Sequence, residues 1–311
     1  VFLSLGEVLV EVMRDTRGVP LSETGRFVGP FASGAPAIAA CAAARLGYPS
    51  RFVGVCGADA FGELCERYLE ASEVDTQIRK VPGYTTGIAF VSYDLQGGRE
   101  FVFHLPQSAA AHLSANDLTT EVFSNVRWLH ITGSSLGVSE SVRQAVYRAV
   151  ELAKMQGATV SFDPNLRLEL MSPAAIRDLC EPVLRQADVI LPSASEASHL
   201  TGLTDDEAAC QALLQHKTRL VILKRGELGS VVYTTDSALP VSSIPVTEVD
   251  PTGAGDCFAA AFAVAMLEGQ VPAEAARFAN VAAALSTTVF GPMEGLPTRS
   301  AVEARRKEGF E

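Results

Sequence analysis

No apolar run in this chain is long enough to cross a bilayer as a helix, and no two cysteines are spaced Cys-x-x-Cys. The first absence excludes a helical membrane span. The second concerns Cys41, Cys56, Cys65, Cys180, Cys210 and Cys257, scattered through apolar or helical surroundings. Reduced thiols, and hence a cytoplasmic protein, are the reading of that scatter. The 5 histidines show no metal-ligand spacing. Cationic residues are in deficit: 25 Lys and Arg against 36 Asp and Glu give a formal net charge of −11. That argues against a nucleic-acid or anionic-membrane surface, but not against a local phosphate site where backbone dipoles decide. The N-terminal Val1-Phe2-Leu3-Ser4-Leu5-Gly6-Glu7 lacks the basic segment and cleavage pattern of a secretory signal and reads as a first buried strand. The Walker loop Gly-x-x-x-x-Gly-Lys-Ser/Thr is missing. So is Gly-x-Gly-x-x-Gly after the first strand, where Gly6-Glu7-Val8-Leu9 stands, which counts against a dinucleotide oxidoreductase.

The 311 residues are 48% hydrophobic and 20% charged, ordinary globular composition with ample material for a core. Short apolar strands alternate with helices. Residues 51–55, 128–132, 159–162, 189–191 and 220–223 read as strands, and 61–71 and 139–156 as helices, with a further helix beginning near Pro173. In the second helix Val142, Val146, Ala149, Val150 and Ala153 share one face. This rhythm predicts an α/β fold, a mainly parallel sheet covered on both faces, with ligands at the carboxyl ends of its strands. The alanine-rich stretch 35–46 predicts a closely packed helix ended by Gly47. The charged tail 302–311 reads as a surface helix or frayed end. Two stretches break the rhythm: Val8 to Pro30, and a hairpin formed by Thr86–Tyr93 and Arg99–His104 around Asp94-Leu95-Gln96-Gly97-Gly98. They predict a small separate sheet, with a surface hairpin of no special role as the alternative.

The most informative stretch is Asp250-Pro251-Thr252-Gly253-Ala254-Gly255-Asp256, which runs into the apolar Cys257-Phe258-Ala259-Ala260-Ala261-Phe262. Glycines at a helix start leave unpaired amides that can hold an anion. An aspartate in the same first turn would repel a phosphate. It makes sense if a hydroxyl must lose its proton there while a phosphoryl group arrives. The plain alternative is an Asp favoured by the helix dipole. Asp163-Pro164-Asn165-Leu166-Arg167 follows a strand, where Arg167 could bind a carboxylate or phosphate, or the run could be a simple turn. Ser193 and Glu196 open a helix and could be a capping box. Lys224-Arg225-Gly226-Glu227-Leu228-Gly229 could be a hairpin turn, and Asn280 in an alanine-rich helix needs a partner or a solvent-facing side.

The full run Asp-x-Thr-Gly-Ala-Gly-Asp-x-Phe resembles that of the ribokinase-like (PfkB) carbohydrate kinases, and Asp-Pro-Asn-x-Arg resembles the 2-keto-3-deoxygluconate kinase branch and its neighbours. The resemblance covers nearly the whole chain, including Gly6-Glu7 and Gly57-Ala58-Asp59-Ala60-Phe61-Gly62. It implies one kinase domain over 1–311, a three-layer α/β/α sandwich, with lid segments about 8–31 and 76–106 inserted in it. It implies an ATP-dependent kinase acting on a primary hydroxyl of a monosaccharide or sugar acid. Asp256 would be the base, and Gly253, Ala254 and Gly255 the anion hole. Ser193, Glu196, Lys224, Gly226, Gly229 and Asn280 would lie along the nucleotide. Glu196 would organise Mg2+ through water, and members are often activated by K+ near the loop that starts at Asp250. Glu11, Gly34 and Arg167 would meet the acceptor. The lid sheet, apolar and without helices of its own, is expected to pair with a second copy in a homodimer.

The sequence departs from the family pattern at the acceptor end. Apart from Ser193, which replaces an Asn at the nucleotide end, Ser33 replaces a glycine, Ile38 stands where an Asn is expected, and Leu105 takes the place of an Arg. Those losses lean the reading toward a neutral or atypical sugar rather than 2-keto-3-deoxygluconate. A nucleoside or vitamin kinase of the same fold, and a non-catalytic sugar- or nucleotide-binding regulator, are the alternatives.

Overall fold

β1 (Phe2–Glu7) is buried along its whole length, and its alternate residues feed two different cores. Phe2 joins one apolar cluster, Leu3 and Leu5 the other. A strand that is apolar on both faces must be covered on both, as expected for a mainly parallel sheet. The computed structural model describes residues 1–96, 98–167, 169 and 172–308. Among these, the further strands are β2 (Leu9–Arg14), β3 (Phe27–Ser33), β4 (Ser50–Gly57), β5 (Asp75–Val81), β6 (Gly87–Tyr93) and β7 (Arg99–His104). They continue with β8 (Trp128–Thr132), β9 (Thr159–Asp163), β10 (Val189–Ile190), β11 (Leu220–Lys224), β12 (Ser230–Tyr233) and β13 (Ala238–Val241).

Nine strands form one sheet in the order β13-β12-β11-β10-β9-β8-β1-β4-β5. Its pairs are parallel from β5 through to β11 and antiparallel only at the β12–β13 end. One face is covered by the helices Ala35–Arg45, Ala254–Leu267 and Pro272–Ser286, the other by Glu140–Met155, Pro173–Leu184, Ala194–Thr201 and Asp206–Leu213. The helix Ala35–Arg45 ends at Gly47, whose φ is 79°. Its small side chains let it lie close against Ala254–Leu267, whose own inner residues are mostly alanine. Fully buried Phe262 and Phe278 supply bulk on that face, each worth about 1.5–3 kcal/mol of burial. The helix over the charged tail runs Arg299–Lys307, and residues 309–311 of that stretch lie outside the described residues.

The order of connections reverses at β1, which has β4 on one side and β8 on the other. In parallel sheets the crevice beyond the strand ends at such a point is where ligands bind.

The second sheet has four strands, β3-β2-β6-β7. Only Val8 separates β1 from β2, so the small sheet springs directly from the carboxyl end of the large one. Its hairpin β6–β7 turns at residues 94–98, of which Gly97 lies outside the described residues. Period-two alternation gives it two unlike faces. Phe101 and Phe103 point inward and are half-buried, while Val102 between them is 44% exposed, as are Phe27 and Val28 at 40% each.

One boundary differs from the sequence reading. Residues 76–81 belong to β5, which pairs in parallel with β4 (Val53 opposite Gln77) at the edge of the large sheet. The second stretch of the small sheet therefore begins at Gly87 rather than near residue 76. The polar alternation of Asp75–Val81, half of it exposed, is that of an edge strand; Asp75 is paired with Arg51 at 2.7 Å.

Candidate active site

The crevice at the switch point is walled by both sheets. Glu7 from the end of β1, Ser134 just after β8 and Asp256 come from the large layer; Leu9, Glu11, Ser33, Arg99, Phe101 and Phe103 come from the small sheet. Gly34, Ala35, Ile38, Leu105, Arg167, Thr252 and Gly253 complete the lining. The three expected acceptor residues, Glu11, Gly34 and Arg167, are therefore in one pocket with Asp256, and so are the departures Ser33, Ile38 and Leu105.

The floor is the start of the helix Ala254–Leu267, which begins three residues earlier than the apolar run alone suggests and so holds Asp256 in its first turn. Gly253 is the N-cap with a left-handed φ of 77°, and a Cβ there would stand 2.4 Å from the carbonyl oxygen of Pro292. The backbone itself demands that glycine. Gly255 is different. An added Cβ would meet nothing closer than Lys224 Nζ at 3.4 Å, an ordinary contact. Neither backbone angle nor packing requires glycine at 255.

Asp256 is buried, and Asn165 Nδ2–H donates to its Oδ1 at 3.0 Å. Asn165 is held in a left-handed conformation, φ 36°, by a bond from its own N–H to Asp163 Oδ1 at 3.1 Å. Such backbone at a non-glycine residue costs of order 1 kcal/mol or more. Burial raises the Asp256 carboxyl to about 8; the charge of Asp163 adds to this, while Lys224 and Arg167 oppose it. Asp163 is itself raised to about 6, by burial above all, although Lys224 is ion-paired with it. Burial pushes Lys224 down, yet the charges of Asp163, Glu196 and Asp256 carry it above its ordinary value.

Two glutamates line the acceptor side. Ser134 and Ser135 hydroxyls donate to the two Glu7 oxygens at 2.6 and 2.5 Å. Ser33 Oγ–H donates to Glu11 Oε1 at 2.6 Å, whereas Glu11 Oε2 is buried with no hydrogen-bond partner among the described residues. Burial raises both carboxyls despite those serine bonds. The Arg167 guanidinium lies 5.5 Å from the Phe101 ring centroid.

The residues assigned to the nucleotide lie at the ends of β10, β11 and β12, except Asn280, which lies within the helix Pro272–Ser286. Ser193 and Glu196 form the expected capping box at the head of Ala194–Thr201. Glu196 Oε2 accepts from Ser193 N–H at 2.7 Å and Oγ–H at 2.6 Å, and Oε1 from Leu166 N–H at 2.8 Å. Gly226 and Gly229 stay in the turn between β11 and β12. Asn280 is buried, its amide pinning Pro272–Ser286 to Ser230 Oγ (3.2 Å), Val241 O (3.0 Å) and Ser242 O (3.3 Å). Asp250 sits behind the floor, accepting from Tyr93 O–H at 2.6 Å, Thr252 N–H at 3.0 Å and Gly291 N–H at 2.9 Å.

Several residues in or behind the pocket wall escaped the sequence reading. Ser134 and Ser135 follow a strand at its carboxyl end, a position that the ligand-crevice rule marks. Arg99, Phe101 and Phe103 could have been found from the alternation of β7. Tyr93 gave no signal, because its partners lie far along the chain.

A mainly parallel sheet with helices on both faces, and a smaller sheet closing over its switch point, defines the ribokinase-like class. Within that class, the family model for pfkB family carbohydrate kinases matches residues 2–299, and the chain belongs to this family. It is an ATP-dependent sugar kinase. It is 36% identical over 306 residues to a probable fructokinase-2 of Arabidopsis thaliana, covering 95% of this chain and 92% of that one. A putative ribokinase II from E. coli, solved with ATP and Mg2+, superposes with a TM-score of 0.92 at 36% identity over 99% of each chain. A double mutant of the fructokinase from Vibrio cholerae O395, solved with fructose, ADP and potassium ion, gives 0.85 at 30% identity over 97% of each.

Proposed function

We propose that the chain transfers the γ-phosphate of ATP to a primary hydroxyl of a neutral sugar, with Asp256 as the base. The observation that carries this is the pairing of a buried Asp256 with a Gly255 that the protein does not itself require. An open approach to Gly255 beside a cation, Lys224, suits an incoming phosphoryl group, for which the amides of Gly253, Ala254 and Gly255 are the donors. A carboxyl raised by burial is a stronger base than a solvated one, and the Asn165 amide leaves Asp256 Oδ2 for the acceptor's proton.

Glu11 Oε2 is the natural acceptor for a sugar hydroxyl, since a buried lone pair without a donor costs stability until a substrate supplies one. Gly34 shapes the same wall. Leu105 and Ile38 make it apolar where a sugar acid would need donors, which favours a neutral sugar; the fructose-bound relative agrees with that. With a neutral acceptor, Arg167 is left to meet the phosphoryl group, and Arg167→Leu lowers turnover for every acceptor. On the nucleotide side, Lys224, Gly226, Gly229 and Ser193 form the strand-end surface on which ATP lies, and the buried Asn280 holds the helix Pro272–Ser286 against it.

Glu196 spends three lone-pair positions on protein donors, so its carboxylate fits Mg2+ through water rather than by direct ligation. That ion supplies charge neutralisation to the phosphates it arrives with. Asp250, with three protein donors, retains one lone-pair direction for K+.

The outer face of the small sheet, with Phe27 and Val102 exposed, supports a homodimer through that sheet. Six buried free thiols are in keeping with a cytoplasmic protein. We read the whole chain as one kinase unit. A panel of free sugars and sugar acids assayed for ADP release with Mg-ATP tests the proposal. Fructose or another neutral sugar is the expected acceptor, and efficient use of 2-keto-3-deoxygluconate with poor use of fructose and tagatose would overturn the choice.

A further inference from the structure

Tyr93 is the last residue of β6 and faces inward with Ala89 and Val91. It is 4% exposed, and its hydroxyl leaves the small sheet to reach the turn ahead of the floor helix. The phenol O–H donates to Asp250 Oδ1 at 2.6 Å, and the Thr252 hydroxyl is bonded to the phenol oxygen. Since the one phenol proton goes to Asp250, Thr252 is the donor of that second bond. Thr252 N–H donates to the same Asp250 oxygen at 3.0 Å. A closed ring thus fixes the turn immediately before Gly253, and one of its three members belongs to the other sheet.

The surroundings repeat the connection. Arg17, from the segment between β2 and β3, donates to the carbonyl of Val249 at 3.1 Å and lies 5.7 Å from the Tyr93 ring centroid. Gly18 N–H donates to Tyr93 O at 2.7 Å. The Tyr93 ring packs in a small core with Met13 and Val91, against Phe31, Phe101 and Phe290. Phe31 meets Phe290 edge-on at 5.8 Å. Phe101 is also a wall of the acceptor pocket. The wall that meets the acceptor and the turn that precedes the amides therefore share one core.

We propose that Tyr93 is a positioning residue for phosphoryl transfer: its hydroxyl, carried by the small sheet, holds the turn Asp250–Gly253 in the shape that aims the amides at the transferred group. The inference rests on the reading of those amides given above. Any movement of the small sheet takes the phenol with it and opens the ring, so seating the sheet on the acceptor also sets the turn. A phenylalanine at 93 would fill the same core and lack only this link.

Tyr93→Phe is the test, with acceptor KM, kcat and melting temperature all measured. Misplacing a reacting group from a distance costs on the order of 10- to 100-fold, so kcat is expected to fall by at least about 10-fold while acceptor KM stays within about 2-fold. Thr252→Val reads the ring from its other member, and the double variant should lose little beyond the worse single one, because both break one unit. Unchanged kcat with a lowered melting temperature would make Tyr93 mere adhesive between sheets and overturn the proposal. So would losses that add in the double variant, or an effect confined to KM. Asp256→Asn in the same assay separates the layers. Near-normal turnover there would overturn the reading of the site itself, and this inference with it.

Discussion

At the proposed nucleotide end, Ser193, Glu196, Lys224 and Asn280 are tied to protein partners. At the acceptor end, Glu7 is tied to Ser134 and Ser135, but Glu11 has a buried oxygen with no partner among the described residues, and the wall beside it carries the apolar Ile38 and Leu105. One end is held by protein partners throughout; the other leaves one buried oxygen for what enters it. Preorganised dipoles suit a phosphoryl group whose charge must be met without delay. Unspent valences suit discrimination, because a wrong acceptor leaves a buried carboxylate unpaired.

The largest effect expected from breaking this contrast is at the junction of the two ends. Gly255→Val should keep the fold, since the Cβ meets only Lys224 Nζ at 3.4 Å, but its branches would fill the approach to the amides. Turnover should fall by roughly the 10²–10³-fold that an oxyanion donor is worth, with melting temperature nearly unchanged. Full activity in a folded Gly255→Val protein would mean that the turn does not wrap the transferred group.

A smaller loss is expected at the acceptor end. Glu11→Gln keeps the shape and removes the charge, replacing a charged hydrogen bond by a neutral one, worth about 1 kcal/mol. Acceptor KM should rise about 5- to 10-fold with ATP KM unaffected. An equal rise in both would erase the distinction between the ends.

The smallest change is in pH dependence. Asp163 is the main neighbouring charge that raises Asp256, so Asp163→Asn lowers the Asp256 carboxyl from about 8 and frees Lys224 to act in the same direction. A base works deprotonated, and the acid limb of the rate profile should therefore move to lower pH. A limb that moved up or stayed would show that another group sets it.

The two ends were also unequally legible. Asp250–Asp256, Ser193–Glu196 and Lys224–Gly229 are each contiguous at a strand end or helix start, so their local chemistry survives in sequence order. The strand–helix rhythm likewise showed the large sheet, because each strand carries its own apolar pattern. The acceptor pocket joins Glu7, Glu11, Phe101, Ser134 and Asp256 from five separate places. No local pattern brings Ser134 to Glu7, or Tyr93 to Asp250 across 157 positions. The lid bounds of about 76–106 that the resemblance implies take in edge strand β5, whose pairing with β4 in the large sheet has no mark in local sequence.

The central claim is that Asp256 takes the acceptor's proton. Its most direct test is single-turnover phosphorylation of the accepted sugar by Asp256→Asn, with ATP binding and melting temperature measured on the same protein. The amide keeps size and burial and loses basicity. The expected result is a rate lower by about 10²–10⁴-fold with nucleotide affinity and fold intact. A rate within a few-fold of the unmodified enzyme would contradict the assignment.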